Sequence, residues 1–223
     1  MMTAATGDFA AARRFMVDGQ IRTNKVTDEA LLAALAALPR ERFAPAAQRA
    51  RAYVDDDLPL GNGRFMMEPM VVARLIQALQ PVGAAKVLLV GANTGYAAAV
   101  LARLGAQVIA LESDGSLAEN GRAALAGLDF PGSVEFVVGS LVAGHAARSP
   151  YHAILVEGAV EAVPDTLTEQ LADQGRLATV AIEGGVGRAV LMTRTGRTVA
   201  RRVLFDANVH LLPGFSLPRG FTF

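Results

Sequence analysis

VLLVGANTGYAAAVLA, residues 87–102, decides the fold. Its aliphatic opening reads as a strand buried on both faces, the stretch from Gly91 to Gly95 as a tight turn, and the remainder as a helix ending near Leu104. That order is the geometry that cradles a nucleotide-like ligand at the end of a strand. Downstream, apolar runs at 108–111, 134–138 and 154–156 alternate with helical segments, the first of them reaching Leu125. Such alternation means strand–helix–strand units and a mostly parallel sheet. Pro164 predicts a further helix start, Gly175 its end, and residues 176–182 another strand. The runs 188–194 and 198–205 flank Thr195-Gly196-Arg197, a hairpin signal, so the sheet is expected to finish antiparallel.

Upstream, helices are predicted at 9–20 and 28–38, the second with Thr27 as cap and Asp28 and Glu29 at its positive end. Residues 40–64 lose any period and gather Pro, Gly and three Asp, which reads as a structured loop. Pro69 opens a helix to about Gln80, with Val72, Leu75, Ile76 and Leu79 at helical spacing. Residues 208–223 are expected to form an edge strand followed by a loop, their aromatic residues covering core.

The chain has 223 residues, 52% of them hydrophobic and 19% charged, enough for one folded α/β domain spanning 1–223. Within it, residues 1–80 read as N-terminal helices and a substrate loop, and 81–223 as the sheet-bearing core. Lysine plus arginine equals aspartate plus glutamate at 21 each, so no net field favours nucleic acid or an anionic membrane. Cysteine is absent, which excludes disulfides and thiolate chemistry and suits a reducing cytoplasm. No apolar run reaches the roughly 18 residues that span a bilayer. A soluble, cytoplasmic protein is expected.

The turn itself is unusual. A dinucleotide fingerprint G-x-G-x-x-G fails here at Asn93 and Tyr96, and no phosphate-loop lysine follows. The looser G-x-G-x-G loop of S-adenosylmethionine enzymes fits better, with Asn93 in its central place, since Asn enters left-handed backbone conformations readily. Glu112 ends the next strand about 20 residues on, where an acid accepts both hydroxyls of a ribose. His145, His152 and His210 are scattered without carboxylates at ligand spacing, Asp55 to Asp57 read as a solvated loop, and no metal is expected. No serine occupies a nucleophile elbow.

Taken together, MVDGQIRTNKVTDEALLAALAALPRERFAP, AYVDDDLPLGNG, PMVVARLIQAL, the glycine loop and EQLADQGRLATVA resemble the protein-L-isoaspartate O-methyltransferases, in order, across roughly residues 13–212. The resemblance implies a doubly wound, mostly parallel seven-stranded Rossmann-like methyltransferase sheet with N-terminal helices and an antiparallel C-terminal hairpin. It implies a monomer, S-adenosylmethionine as methyl donor and isoaspartyl residues of damaged proteins as acceptors. It assigns the donor to Gly91, Ala92, Asn93, Gly95, Glu112, Ser113, Ser140 and Leu141, and the acceptor to Asp55, Phe65, Met67 and Glu68. It leaves the catalytic residues unassigned. An isoaspartyl carboxyl, with a reference pKa near ~4, is ionised at neutral pH and attacks a sulfonium methyl without a general base.

This chain departs from the family pattern at the site. Leu89 replaces an acid before the glycine loop, Ser140 replaces an acid expected at the adenine, and Phe65-Met66-Met67-Glu68-Pro69 replaces Thr-Ile-Ser-Gln-Pro. Glu68 or Glu157 would then supply a replacement charge or serve as ordinary rim acids. Two other readings stay open: a catalytically silent relative acting as a binding module, and a methyltransferase with a changed acceptor.

Overall fold

The computed structural model describes residues 8–81 and 83–217. Seven strands form one sheet: β3 (Lys86–Val90), β4 (Gln107–Glu112), β5 (Ser133–Val138), β6 (Tyr151–Val160), β7 (Leu171–Glu183), β8 (Val186–Thr195) and β9 (Thr198–Asp206). A separate two-stranded hairpin, β1 (Leu58–Gly61) with β2 (Arg64–Met66), precedes them. The α-helices among the described residues are α1 (Phe9–Phe15), which continues as a π-helical turn over Met16–Ile21, α2 (Glu29–Ala37), α3 (Pro69–Leu79), α4 (Tyr96–Arg103), α5 (Gly115–Leu125) and α6 (Asp165–Thr168). Among the described residues no helix is long and apolar enough to cross a membrane.

The sheet runs in the order β5-β4-β3-β6-β7-β8-β9, parallel from β5 to β7 and antiparallel thereafter, as expected. Strand β3 lies inside the sheet, between β4 and β6, because KVLLV carries aliphatic side chains on both faces. Val87 and Leu89 enter one core with α2, α3 and α4, while Leu88 and Val90 enter a second with Leu141, Leu167, Leu212 and Phe215. The order reverses between β3 and β6, where β4 lies on one side and β6 on the other. Ligands of open α/β sheets settle at that crossing point, beyond the carboxyl ends of the strands.

Four sequence expectations are corrected. The residue capping α2 is Asp28, whose carboxylate accepts from the Leu31 amide at 3.0 Å, whereas the Thr27 amide donates to the Gln77 side chain. Asp28→Ala is expected to cost about 1 kcal/mol in a denaturant titration, with Thr27→Ala near neutral. The loop at 40–64 contains β1 and the start of β2, strands too short for alternation to reveal. The helix opened by Pro164 lasts only one turn, and Gly175 lies inside β7. There the pairing slips between Tyr151 and Ala153, and a Cβ on Gly175 would come within 2.9 Å of the Tyr151 carbonyl, so the glycine permits a bulge. Finally, residues 208–212 form no edge strand. A single parallel bridge joins Leu211 to Ala159, at the end of β6, with Leu212 N–H donating to Ala159 at 2.8 Å. The Phe215 ring is buried in the second core, and residues 218–223 lie outside the described part of the chain.

Candidate functional site

The turn after β3 adopts the expected shape. Gly91, Asn93 and Gly95 all take positive φ, at 76°, 52° and 89°, and the Gly91 and Ala92 amides donate to the Leu111 carbonyl. Asn93 thus substitutes for glycine on the backbone, but its side chain does more. Its Oδ1 accepts from Arg64 Nη2 at 2.8 Å, and its Nδ2 donates to the Phe65 carbonyl at 3.1 Å. The Asn is a clasp between the glycine turn and β2.

Glu112 stands at the end of β4, as the sequence predicted, and faces this turn. No part of it reaches solvent. Its carboxylate accepts from the amides of Asn93 at 2.7 Å, Ser113 at 2.7 Å and Asp114 at 3.0 Å. Arg64 completes the set, with Nη1 on Oε1 and Nη2 on Oε2, the latter at 2.8 Å. The pair is two-pronged and closed to water, with Arg64 only 3% exposed. The carboxylate that the sequence reading assigned to ribose hydroxyls is thus already engaged by a guanidinium.

The second wall is apolar. A Cβ built on Gly91 would lie 2.9 Å from a Leu212 methyl and 3.3 Å from Arg64 Nη2, so Leu212 fills the space the glycine leaves open. On the far side of Arg64 and Leu212 a void of about 10 Å³ is lined also by Phe65, Met67, Glu157 and His210.

A bulge in β6 places Glu157 here, the pairing slipping between Leu155 and Ala159. Glu157 is neither a rim acid nor a replacement charge. Burial pushes its pKa up to about 8, outweighing the attraction of Arg40 and Arg64, so it is mostly uncharged at neutral pH. Among the described residues its Oε2 has no hydrogen-bond partner, nor have the buried Arg40 Nη1 and Tyr96 hydroxyl. Arg40 is itself sealed in, donating to the Ala52 and Met67 carbonyls at 2.7 Å and lying over the Tyr96 ring.

The remaining expected residues divide. Ala92 and Leu141 are buried, Ser113 donates to Glu112, and Ser140 is exposed at the start of the loop after β5. Leu89 sits in the first core, enclosed by aliphatic neighbours. Phe65 stacks on His210 with centroids 3.5 Å apart, and the Met67 side chain is buried. Asp55 and Glu68 belong to a separate acidic group: burial first, then Asp55, Asp57 and Asp56, push Glu68 up to about 7. Asp57 is not a solvated loop residue. It accepts from the Glu68 amide at 2.9 Å, and it meets His210 Nδ1 at 2.9 Å. Among the described residues no three potential metal ligands gather.

Arg64, Arg40 and Leu212 escaped the sequence reading. Nothing in LGNGR distinguishes Arg64 from a surface arginine; only the fold brings it to Glu112, 48 positions away.

Comparison with known proteins places this geometry. The family model for protein-L-isoaspartate(D-aspartate) O-methyltransferase matches residues 12–203. A protein-L-isoaspartate O-methyltransferase of Methylorubrum extorquens is 42% identical over 190 residues, covering 85% of this chain and 82% of its own. One from Methanoregula boonei is 42% identical over 165 residues, covering 74% and 76%. Among solved structures, a protein-L-isoaspartate O-methyltransferase superposes with TM-score 0.77 at 22% identity, over 92% of this chain and 66% of that one. A Plasmodium falciparum protein described as a β-aspartate methyltransferase, in complex with S-adenosyl-L-homocysteine, superposes with TM-score 0.74 at 17% identity, over 90% and 97%. On a family match across most of its length, and relatives this similar, the chain belongs to the protein-L-isoaspartate(D-aspartate) O-methyltransferase family.

Proposed function

We propose that the chain transfers a methyl group from S-adenosylmethionine to the carboxyl of isoaspartyl residues in proteins. The observation that carries this reading is the family match together with Glu112, which ends β4 beside the Gly91 turn. The donor would supply a methyl on a positively charged sulfur. Glu112 fits such a ligand in position and chemistry, as an acid facing the glycine turn at the crossing point of the sheet. The space beside the turn does not admit it while Leu212 and Arg64 lie against Gly91 and Arg64 holds Glu112. The chain's own contribution is positioning and water exclusion: an ionised acceptor carboxylate needs no base, and alignment of reacting atoms supplies the acceleration.

The outcome that this reading must exclude is a relative that keeps the fold without the chemistry; the buried Arg64–Glu112 pair is compatible with both. Labelled-methyl transfer to an isoaspartyl peptide, with the aspartyl twin as control, separates the two. Base-labile label on the isoaspartyl peptide alone is expected. Donor binding without transfer to that peptide would point to another acceptor, and no response to millimolar donor in calorimetry would leave only the silent reading.

A further inference from the structure

Arg64 is oriented by contacts that join the hairpin to three parts of the crevice. Its two guanidinium arms grip the Glu112 carboxylate; Nη2 also reaches Asn93 Oδ1; and Nη2 lies against Gly91, where Leu212 closes the other side. The turn beyond it is pinned as well, because Asn62 Nδ2 donates to Asp114 Oδ2 at 3.2 Å. A surface arginine that had merely swung inward would leave Asn93 without its purpose. Here Asn93 holds both the side chain of Arg64 and the backbone of Phe65.

We propose that Arg64 is an internal occupant of the donor-ribose site: the guanidinium and an adenosyl ligand compete for the Glu112 carboxylate, and the β1–β2 hairpin must withdraw before the ligand enters. The inference deepens the methyltransferase reading and rests on it for the identity of the ligand. Competition follows from capacity. Both oxygens of Glu112 are engaged by Arg64 and by three backbone amides, so ribose hydroxyls gain hydrogen bonds there only as Arg64 gives them up. A state in which the site is blocked lowers apparent affinity by the fraction of molecules that are open. Clasp and plug are matched, since a glycine at 93 has no side chain to offer the guanidinium.

Isothermal titration with S-adenosyl-L-homocysteine tests the proposal on the unsubstituted chain and on Arg64→Gln, which removes the charge and keeps a hydrogen-bond donor. Arg64→Gln is expected to bind at least tenfold more tightly. Equal affinities, or no binding by either, overturn the proposal. If Arg64→Gln fails to fold, Asn93→Gly decides instead; its positive φ suits glycine, and it is expected to bind at least threefold more tightly, equal or absent binding again being fatal. The isoaspartyl peptide assay separates the two levels. Tighter binding by the variants without methyl transfer sinks the functional reading and leaves the occupant in place, whereas equal affinities with transfer do the reverse.

Discussion

Replacing Arg64 by alanine is expected to lower the unfolding free energy by about 3–5 kcal/mol, the usual cost of stranding one member of a sealed ion pair. The loss arises on the Glu112 side. With Arg64 gone, a carboxylate of zero exposure keeps its three amide donors but loses its only counter-charge, at a depth where water does not reach it. An apolar exchange of both partners, often harmless for buried pairs, is not expected to be harmless here. Leucine at 112 would orphan the amides of Asn93, Ser113 and Asp114, each costing about 1–3 kcal/mol. Glu112→Gln in the Arg64→Ala background is the informative double variant, because it removes the stranded charge and keeps an oxygen for the Ser113 and Asp114 amides, leaving its NH2 toward the Asn93 amide. It is expected to recover part of the loss in urea denaturation at pH 7. A single-variant cost below about 1 kcal/mol, the range of surface pairs, would mean that the contact is not sealed from solvent.

The second large effect concerns pH. Glu157 has its pKa raised from 4.5 to about 8, first by burial, with Arg40 and Arg64 pulling the other way. The folded chain therefore binds a proton that the unfolded chain has released. Unfolding free energy must fall as pH rises from about 4.5, and the fall is complete once pH passes about 8. At 1.36 kcal/mol per unit the whole window is worth roughly 4–5 kcal/mol. Glu157→Gln carries no proton to lose, so its stability curve is expected to be flatter across this window and to lie above that of the unsubstituted chain by roughly 3 kcal/mol or more at pH 8. Parallel slopes for the two proteins between pH 5 and 8 would show that Glu157 is not held protonated.

What could be read in advance, and what could not, follows the range of the interactions. Residues 86–90 announce their strand through a run of aliphatic side chains, and Pro69 with Val72, Leu75, Ile76 and Leu79 announces α3, because both signals lie within one element. The hairpin around Thr195-Gly196-Arg197 is equally local. Asn93 was legible as a left-handed turn residue, again a property of its own backbone. Its side chain was not, since the two groups it binds come from a three-residue strand some 28 positions away. Glu157 looked like a rim acid at a strand end. Only the slipped pairing of β6 turns it inward, and a bulge of that kind leaves no mark in composition. Gly175 shows the opposite failure: a glycine near the end of a helical pattern looks like a terminator, while its true service is to let two strands approach where their register slips.

Among the described residues the sheet leaves two strands with a free side, β5 and β9. Unpaired margins of this kind template the growth of ribbons from one chain to the next. Both are guarded by ions: Glu135 of β5 is exposed and paired with Arg148, and the adjacent Arg201 and Arg202 of β9 are exposed, Arg201 also reaching Glu183. A foreign strand laid along either margin would strip water from these groups without offering them partners. The margins are thus guarded by the cost of desolvating a handful of charged side chains rather than by closure of the sheet.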